Sequence, residues 1–538
     1  MMVGPGICGE VAQMENLGDI KIGQRVQCNG HRGTVKYVGE VPPTKGIWLG
    51  IDWDDSSRGR HDGSHEGHKY FKTRHPTSGS FVRPEKVNFG QSCMAAIRSR
   101  YGGVENAGID EDNWAVVQKQ INARFLEMVG LDKISKIQSE FGKLKRVILD
   151  DYGVNGAGSP GELQTHCPLI EELDLSRNLL SSWESVADIA IQLPKLRLLN
   201  ISDNRLMLPE NPIELQDAFR SLEHLIAGLL EYTWSEMMTC ATMWPHIKSL
   251  QVPYNHFVVL EPSPSNVLSQ LKFLDLDGNP IDSWAEINKL GKLPCLETLN
   301  VSNTGLTDIY FPTEKPDQKT DLFQALRKLC ITENKISKWQ SICELDKLKQ
   351  LENLKIMENP LMEVENRATN RQLIIARIES LKKLNGVDVT ADERRGAEYD
   401  YLKRYGKVWL ELVKTQDEEQ LRNFMKEHSR YPYLIQKYGA PDEGEFKVLS
   451  TTLKSKMISV ELFSPNHETK RYKKMLPRSM LVQKLFGLVQ KMFDTGNEFP
   501  KLTYISSKKP GVEIPLDNEL KTLDFYSVED GDQISVRW

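Results

Sequence analysis

The sequence predicts a multidomain α+β protein with a small N-terminal β-barrel, a central α/β solenoid and a compact C-terminal α+β unit. Three observations predict it. Residues 18–92 alternate apolar and polar side chains between frequent glycines, as in Arg25-Val26-Gln27-Cys28 and Gly33-Thr34-Val35-Lys36-Tyr37-Val38, the two-residue period of half-buried strands. Residues 139–405 repeat one apolar template, which marks stacked units. Residues 449–538 read as ββαββ, with strands at 457–462, 470–474, 502–505 and 533–537 and helical spacing over 481–492. At 538 residues the chain has room for several domains of roughly 100–150 residues.

Composition removes several function classes. Charged residues make up 27% and the hydrophobic set 39%, and no apolar run approaches the ~20 residues of a bilayer span, so no membrane partner is expected. The net charge of −5 argues against a nucleic-acid partner in bulk. Residues 21–90 nevertheless carry twelve Lys/Arg against seven Asp/Glu, so the barrel is the electropositive end. The eight cysteines include no C-x-x-C pair, which suggests neither a zinc cluster nor a disulfide framework and points to a reducing, cytoplasmic compartment. The first twenty residues hold Glu10, Glu15 and Asp19 and no basic residue, unlike a secretory or transit peptide. No grouping of nucleophile, base and oxyanion donor stands out, so neither an enzyme nor a cofactor is expected.

Within the barrel, the sharpest motif is Gly59-Arg60-His61-Asp62-Gly63. It is flanked by Trp48-Leu49-Gly50-Ile51-Asp52-Trp53, by Tyr70-Phe71 and by Gly79-Ser80-Phe81-Val82-Arg83-Pro84. Together these resemble a CAP-Gly domain. The resemblance implies a site for acidic C-terminal tails ending in an aromatic residue, such as the Glu-Glu-Tyr end of α-tubulin, formed by Trp48, Trp53, Gly59, Arg60, His61, Asp62, Gly63, Phe71 and Phe81. The residue types suit that task, because paired glycines let backbone N–H groups approach carboxylates, rings receive the terminal aromatic, and cations neutralise the tail. Arg60 and His61 stand where the family usually has Lys and Asn. Histidine gains charge on protonation, so tail affinity is expected to rise below its pKa. His61, His65 and His68 lack cysteine partners in register, and no metal site is expected.

A helical linker is expected over 93–138. The repeats follow. The template L-x-x-L-x-L-x-x-N-x-L is met by Ile170, Leu173, Leu175, Asn178, Leu180 and by Leu196, Leu199, Ile201, Asn204, Leu206. It recurs with Asn255, Asn279, Asn334 and Asn359, and degenerate copies lie at 144–154, 222–232 and 296–306. This is the pattern of leucine-rich repeats. Each unit offers a short strand with inward apolar residues, and the Asn can satisfy backbone groups at the following turn. Stacking buries that inward face and leaves parallel strands on a concave side and helices, such as 186–193, on the convex side. Trp183, Trp234, Trp284 and Trp339 fall four or five residues past the Asn position and are assigned to packing under those helices. The glycines Gly153, Gly156 and Gly158 precede Pro160 without a Gly-Lys-Ser/Thr ending and read as an ordinary loop. Residues between the strand apolars are candidates for a concave binding surface: Glu172, Asp174, Arg197, Asn200, Tyr254, Phe273, Asp275 and Lys355. The array is expected to end at Leu381-Lys382-Lys383-Leu384-Asn385-Gly386, with a polar helical cap from Asp392, followed by a charged helical connector over 406–448.

The last unit resembles the ubiquitin fold, a β-grasp domain, and 523–532 matches the loop before that fold's final strand. An alignment of strands puts Thr503, Ser535 and Arg537 where ubiquitin carries its apolar recognition patch, which leaves its partner open between another cofactor, an intramolecular surface, and the proteasome or another ubiquitin-like-domain receptor. The order of CAP-Gly domain, leucine-rich repeats and ubiquitin-like domain resembles the tubulin folding cofactor E family. That resemblance implies a cytoplasmic, cytoskeleton-associated factor that receives α-tubulin and works with the other tubulin folding cofactors to assemble and take apart the α/β heterodimer, the GTP of that cycle belonging to tubulin. The alternative is a microtubule-associated CAP-Gly adaptor or scaffold, though no sustained heptads for dimerisation are present.

Overall fold

The computed structural model describes residues 20–102, 141–264, 266–314, 318–440, 457–494, 500–507 and 513–538. The chain divides into two units, Met1–Ala440 and Pro441–Trp538. In the first, strands Arg25–Cys28, His31–Glu40, Ile47–Trp53 and Gly79–Val82 form an antiparallel sheet in that order. Leu49, Ile51 and Trp53 share one parity of their strand and close the barrel core with Val26 and Val35.

The repeats form an eleven-stranded sheet whose register is parallel from Arg146–Ile148 to Lys383–Leu384, closed by antiparallel Val387–Asp388. Each strand is about three residues long, and the middle one (Val147, Leu173, Leu199, Leu225, Leu250, Leu274, Leu299, Leu329, Leu354) is buried while its neighbours face the open side. The segment expected to end the array is itself a further strand. Leu384 pairs beside Leu354, and Asn385 Oδ1 accepts from Ile356 N–H at 2.9 Å.

The template asparagines are buried and each joins two repeats. Asn279 Oδ1 accepts from Phe257 N–H of the preceding repeat, and its Nδ2 donates to the Val252 and Leu276 carbonyls at 3.0 and 2.9 Å. Asn178, Asn204, Asn255, Asn334 and Asn359 bond in the same manner. These contacts satisfy turn groups that have no strand partner. The residue just before that position has a left-handed backbone, as at Asp151, Arg177, Asp203, Leu229, Tyr254, Asn303, Glu333 and Glu358. One repeat carries Leu230 in place of the Asn. Its join to the preceding repeat runs instead through Tyr232, whose hydroxyl donates to Leu206 O at 2.9 Å and accepts from Trp183 Nε1 at 3.1 Å.

Helices Trp183–Ala190, Trp234–Ala241, Trp284–Asn288 and Trp339–Leu345 each begin at one of the four tryptophans. Ser182, Thr233 and Ser283 cap the first three, and Thr233 forms a capping box with Glu236. Trp183, Trp234 and Trp284 are buried. Trp339 is half-buried beneath the Arg377 guanidinium, 4.5 Å from its ring.

Two expected boundaries move. Helix Cys93–Tyr101, assigned to the linker, buries Cys93, Met94, Ala96 and Ile97 in the repeat core and so caps the solenoid's N-terminal end; residues 103–138 lie outside the described residues. Helix Ala391–Thr415 runs through the expected division at 405/406. It covers the last repeat through Ala397, while Arg394 donates to the carbonyls of Ile375 and Ile378. With helices Glu418–Glu427 and Tyr431–Tyr438 it encloses a second core around Tyr401, Phe424 and Tyr431. The buried Glu398 there is paired with Arg430 and Lys437 at 3.2 and 2.8 Å. Residues 441–448 of the expected connector lie outside the described residues.

In the second unit the strands lie in the order His467–Pro477, Met457–Ser464, Gln533–Arg537, Lys501–Ile505, Glu513–Pro515, and helix Val482–Phe493 packs Leu485, Val489 and Phe493 on Ile458, Val460, Leu462 and Ile534. The three-residue strand Glu513–Pro515 is an addition to the expected ββαββ. Ser535 is buried, and Arg537 is engaged by both oxygens of Glu513 at 3.0 Å, so the expected recognition positions present no apolar patch.

Asn279→Ala is expected to lower the unfolding free energy by roughly 3 kcal/mol, since it strands a buried N–H and two carbonyls. Asn200→Ala, on the open side with its Oδ1 accepting from Ser202 N–H, is expected to change it by about 0.5 kcal/mol or less. Urea unfolding followed by circular dichroism measures both.

Candidate peptide-binding site

The groove on the barrel begins with a bulge. The register between the second and third strands shifts between Val35 and Tyr37, so that Tyr37 pairs with Gly50, which sits opposite Phe81 on the fourth strand. A Cβ at Gly50 would lie 2.4 Å from the Phe71 ring and 2.9 Å from Tyr37 Cβ, so only glycine lets Phe71 rest on the sheet. Phe81 is the hub of the resulting ring cluster. It meets Tyr70, Phe71 and Tyr37 edge-on at 5.4, 5.5 and 6.3 Å, with His61 tilted at 5.1 Å and His65 edge-on at 6.2 Å.

The loop 59–63 is pinned by backbone bonds. Arg60 N–H donates to Gly79 O at 2.8 Å, and Gly79 N–H donates to His61 O at 2.8 Å. Gly59 lies against the Thr77–Gly79 backbone, and Gly63, at φ +96°, lies so close to Phe71 that a Cβ would fall 2.1 Å from its carbonyl oxygen. His61 Nδ1 accepts from Gly63 N–H at 3.0 Å, which places the proton of the neutral ring on Nε2. An Asn side chain offers the same acceptor and donor, so His61 replaces it in kind. Burial lowers the His61 pKa below the ordinary histidine value, with Asp62 opposing and His65 assisting. The lowered pKa disfavours protonation, which would also cost the bond to Gly63, so tail binding is not expected to strengthen in mild acid.

Asp62 is half-exposed and engaged within the loop region. Its carboxylate pairs with Lys69 and accepts from Ser64 N–H at 3.1 Å, and these hold its pKa down to about 2; it braces the loop. Arg60 is exposed beside it. Trp48 is half-buried, with Arg83 stacked 3.9 Å from its ring and Nε1 donating to Thr44 Oγ1 at 2.7 Å. Trp53, expected in the groove, is 1% exposed and belongs to the barrel core, on the strand face of Leu49 and Ile51. Tyr37, Tyr70 and His65 join the groove without having been assigned to it.

On the solenoid, Glu172, Asp174, Asn200, Phe273, Asp275 and Lys355 flank buried strand leucines on the open face. Burial raises the Asp275 pKa, although the carboxylate accepts from Asp277 N–H and from Asn300 Nδ2 at 2.8 Å. Arg197 and Tyr254 sit at the two rims instead. Arg197 precedes its strand in a charged row that includes the pairs Lys248–Glu223 and Lys272–Glu297, both at 2.8 Å. Tyr254, half-exposed, follows its strand at a left-handed turn. His224, Ile226, Asn300 and Lys328 occupy open-face positions that the sequence reading passed over. Among the described residues no three His, Cys, Asp or Glu side chains gather as metal ligands would, and no helix is long and apolar enough to cross a membrane.

Comparison with known proteins places the barrel and the whole chain in families. Residues 22–87 match the CAP-Gly domain family. The chain is 42% identical over 523 residues to tubulin-specific chaperone E of Bos taurus, covering 96% of this chain and 98% of that one. The chain belongs to the tubulin-specific chaperone E family. The Xenopus laevis tubulin-specific chaperone E is 43% identical over 521 residues, with the same coverage. Among solved structures, the C-terminal ubiquitin-like domain of mouse tubulin-specific chaperone e is 40% identical and covers 15% of this chain and 87% of that domain, with a TM-score of 0.15.

For this member of the tubulin-specific chaperone E family, Gly63→Ala is expected to weaken binding of a peptide ending in Glu-Glu-Tyr by about tenfold or more. His61→Asn is expected to retain it, and titration from pH 7.5 to 6 is expected to give no strengthening. Calorimetry at fixed ionic strength checks all three.

Proposed function

We propose that this chain is a tubulin-folding chaperone that binds α-tubulin by its acidic C-terminal tail and its globular body, and serves assembly and dissociation of the α/β-tubulin heterodimer with the other tubulin folding cofactors in the cytoplasm. The observation that carries the reading is the groove itself. Four rings and a neutral histidine gather on one face of the barrel beside the exposed Arg60, chemistry suited to a terminal aromatic residue preceded by carboxylates. The names of the relatives support tubulin as the ligand. A groove of this size buries little area and gives modest affinity alone, whereas the open strand face spans a surface on the scale of a folded protein. Dissociating a heterodimer further requires that the chaperone bind free α-tubulin more tightly than the dimer, since only differential affinity shifts an equilibrium. The ubiquitin-like unit, with Ser535 buried and Arg537 paired to Glu513 at its expected recognition positions, is assigned to contact with a partner cofactor, an intramolecular surface, or the proteasome or another ubiquitin-like-domain receptor, which a pulldown with residues 449–538 separates.

Calorimetry of the full chain with α-tubulin, with its tail peptide and with the peptide lacking the terminal aromatic residue tests this. Expected are peptide binding that weakens about tenfold on removal of the aromatic, and binding of the whole subunit about a hundredfold tighter than the peptide. No binding of either sinks the reading. A chain that sediments with stabilised polymer without depleting free dimer would be an adaptor instead.

A further inference from the structure

The barrel is tied to the repeats at two separated places. The first is its exit. Gln91 N–H donates to Gly153 O at 2.8 Å and Gln91 Nε2 to Tyr152 O at 2.9 Å, Asn155 Nδ2 donates to Phe89 O at 2.9 Å, and Gln91–Ser92 pairs in parallel with Val154–Gly156. The glycine-containing loop 153–158 is thus the seat of the barrel's departing strand.

The second is an ion-pair network between residues far apart in sequence. Arg32 donates to the carbonyl of Asp203 at 2.8 Å and to its carboxylate at 2.5 Å. Arg74 reaches Glu231 at 2.9 Å, Asp52 at 3.1 Å and Asp54 at 3.3 Å. Arg205 pairs with Glu231 and lies 3.8 Å from Asp54, which Arg25, buried, grips with both terminal nitrogens. Four arginines thus face four carboxylates, and each sign is contributed by both sides. Burial alone would raise the Asp54 pKa, but Arg25, Arg205 and Arg74 together hold it below the ordinary value. Isolated surface ion pairs contribute little, whereas shared, bidentate and partly buried ones form a network that resists rotation. The network uses the Arg32 and Trp53–Asp54 end of the central hairpin, while the groove lies around Tyr37 and Gly50, so docking leaves the groove open.

We propose that Asp203, Arg205 and Glu231 are positioning residues that lock the barrel on the repeats, so that the tail groove is held at one place relative to the open strand face and one ligand is gripped at both sites at once. This rests on the two-site reading above and adds that the coupling is rigid. A fixed separation sets a single effective concentration for the second contact and removes the ordering cost that a swivelling domain incurs on binding.

The test uses the full chain carrying Asp203→Arg with Glu231→Arg, and the milder pair Asp203→Asn with Glu231→Gln in case the reversals disturb folding. Spin labels on barrel and solenoid report their separation, and calorimetry reports affinity. The expected result is a broadened distance distribution, tail-peptide affinity unchanged within about twofold, and α-tubulin affinity reduced about tenfold or more. Arg32→Asp combined with Asp203→Arg is expected to recover both distance and affinity relative to Asp203→Arg alone. A narrow distribution in both variants, or a broadened one with undiminished α-tubulin affinity, overturns the proposal. If the wild type binds neither peptide nor subunit, the tubulin reading falls, and the grip with it, while the distance measurement still decides the lock.

Discussion

Every repeat must satisfy a turn whose backbone has left the parallel ladder, and one asparagine side chain does so for two neighbours. Asn279, for example, accepts from the repeat before it and donates to carbonyls of both. Because that side chain is buried among leucines, it cannot exchange these partners for water, and the spacing of repeats is fixed by its length. The parallel register from Arg146–Ile148 to Lys383–Leu384 follows, and with it an open face whose residues come two per strand. What that face can touch depends on this interval.

The barrel obeys a different constraint. Its groove depends on absent side chains at Gly50 and Gly63, which let Phe71 lie where it supports Phe81. His61 completes the loop in its neutral form, and Asp62 spends its charge on Lys69. Positive potential near the slot therefore comes from Arg60 and the net charge of the barrel, while selectivity for a ring comes from the cluster.

The repeats were legible because one template encodes both the inward leucines and the asparagine that closes the turn. Leu381 and Leu384 keep the template's first spacing where the array was expected to stop, and Asn385, directly after the strand and outside the template position, bonds back to Ile356. Trp53 could have been placed from its strand, since it shares parity with Leu49 and Ile51, whereas the aromatic motif drew it toward the groove. Tyr37 reached the groove through a bulge, which shifts parity and leaves no local mark. Helix Ala391–Thr415 was divided by its charged composition, although its buried positions continue past 405. The docking of the barrel was hidden because Arg32 and Asp203 are 171 positions apart, and ion pairs at that separation impose no periodicity.

Three repeats depart from the pattern, at Tyr152, Leu230 and Thr304, and the junction of the Leu230 unit with the preceding one is bridged by Tyr232 in place of an amide. Asp203 and Arg205 belong to the unit before that junction and Glu231 to the unit after it, and the barrel's Arg32, Asp54 and Arg74 bind across it. The small domain is thus a splint laid over one of the seams that no template asparagine bridges. The same ion pairs that seat the barrel therefore also clasp two successive units of the curved body, so the placement of the appendage and the hold between those units share their side chains.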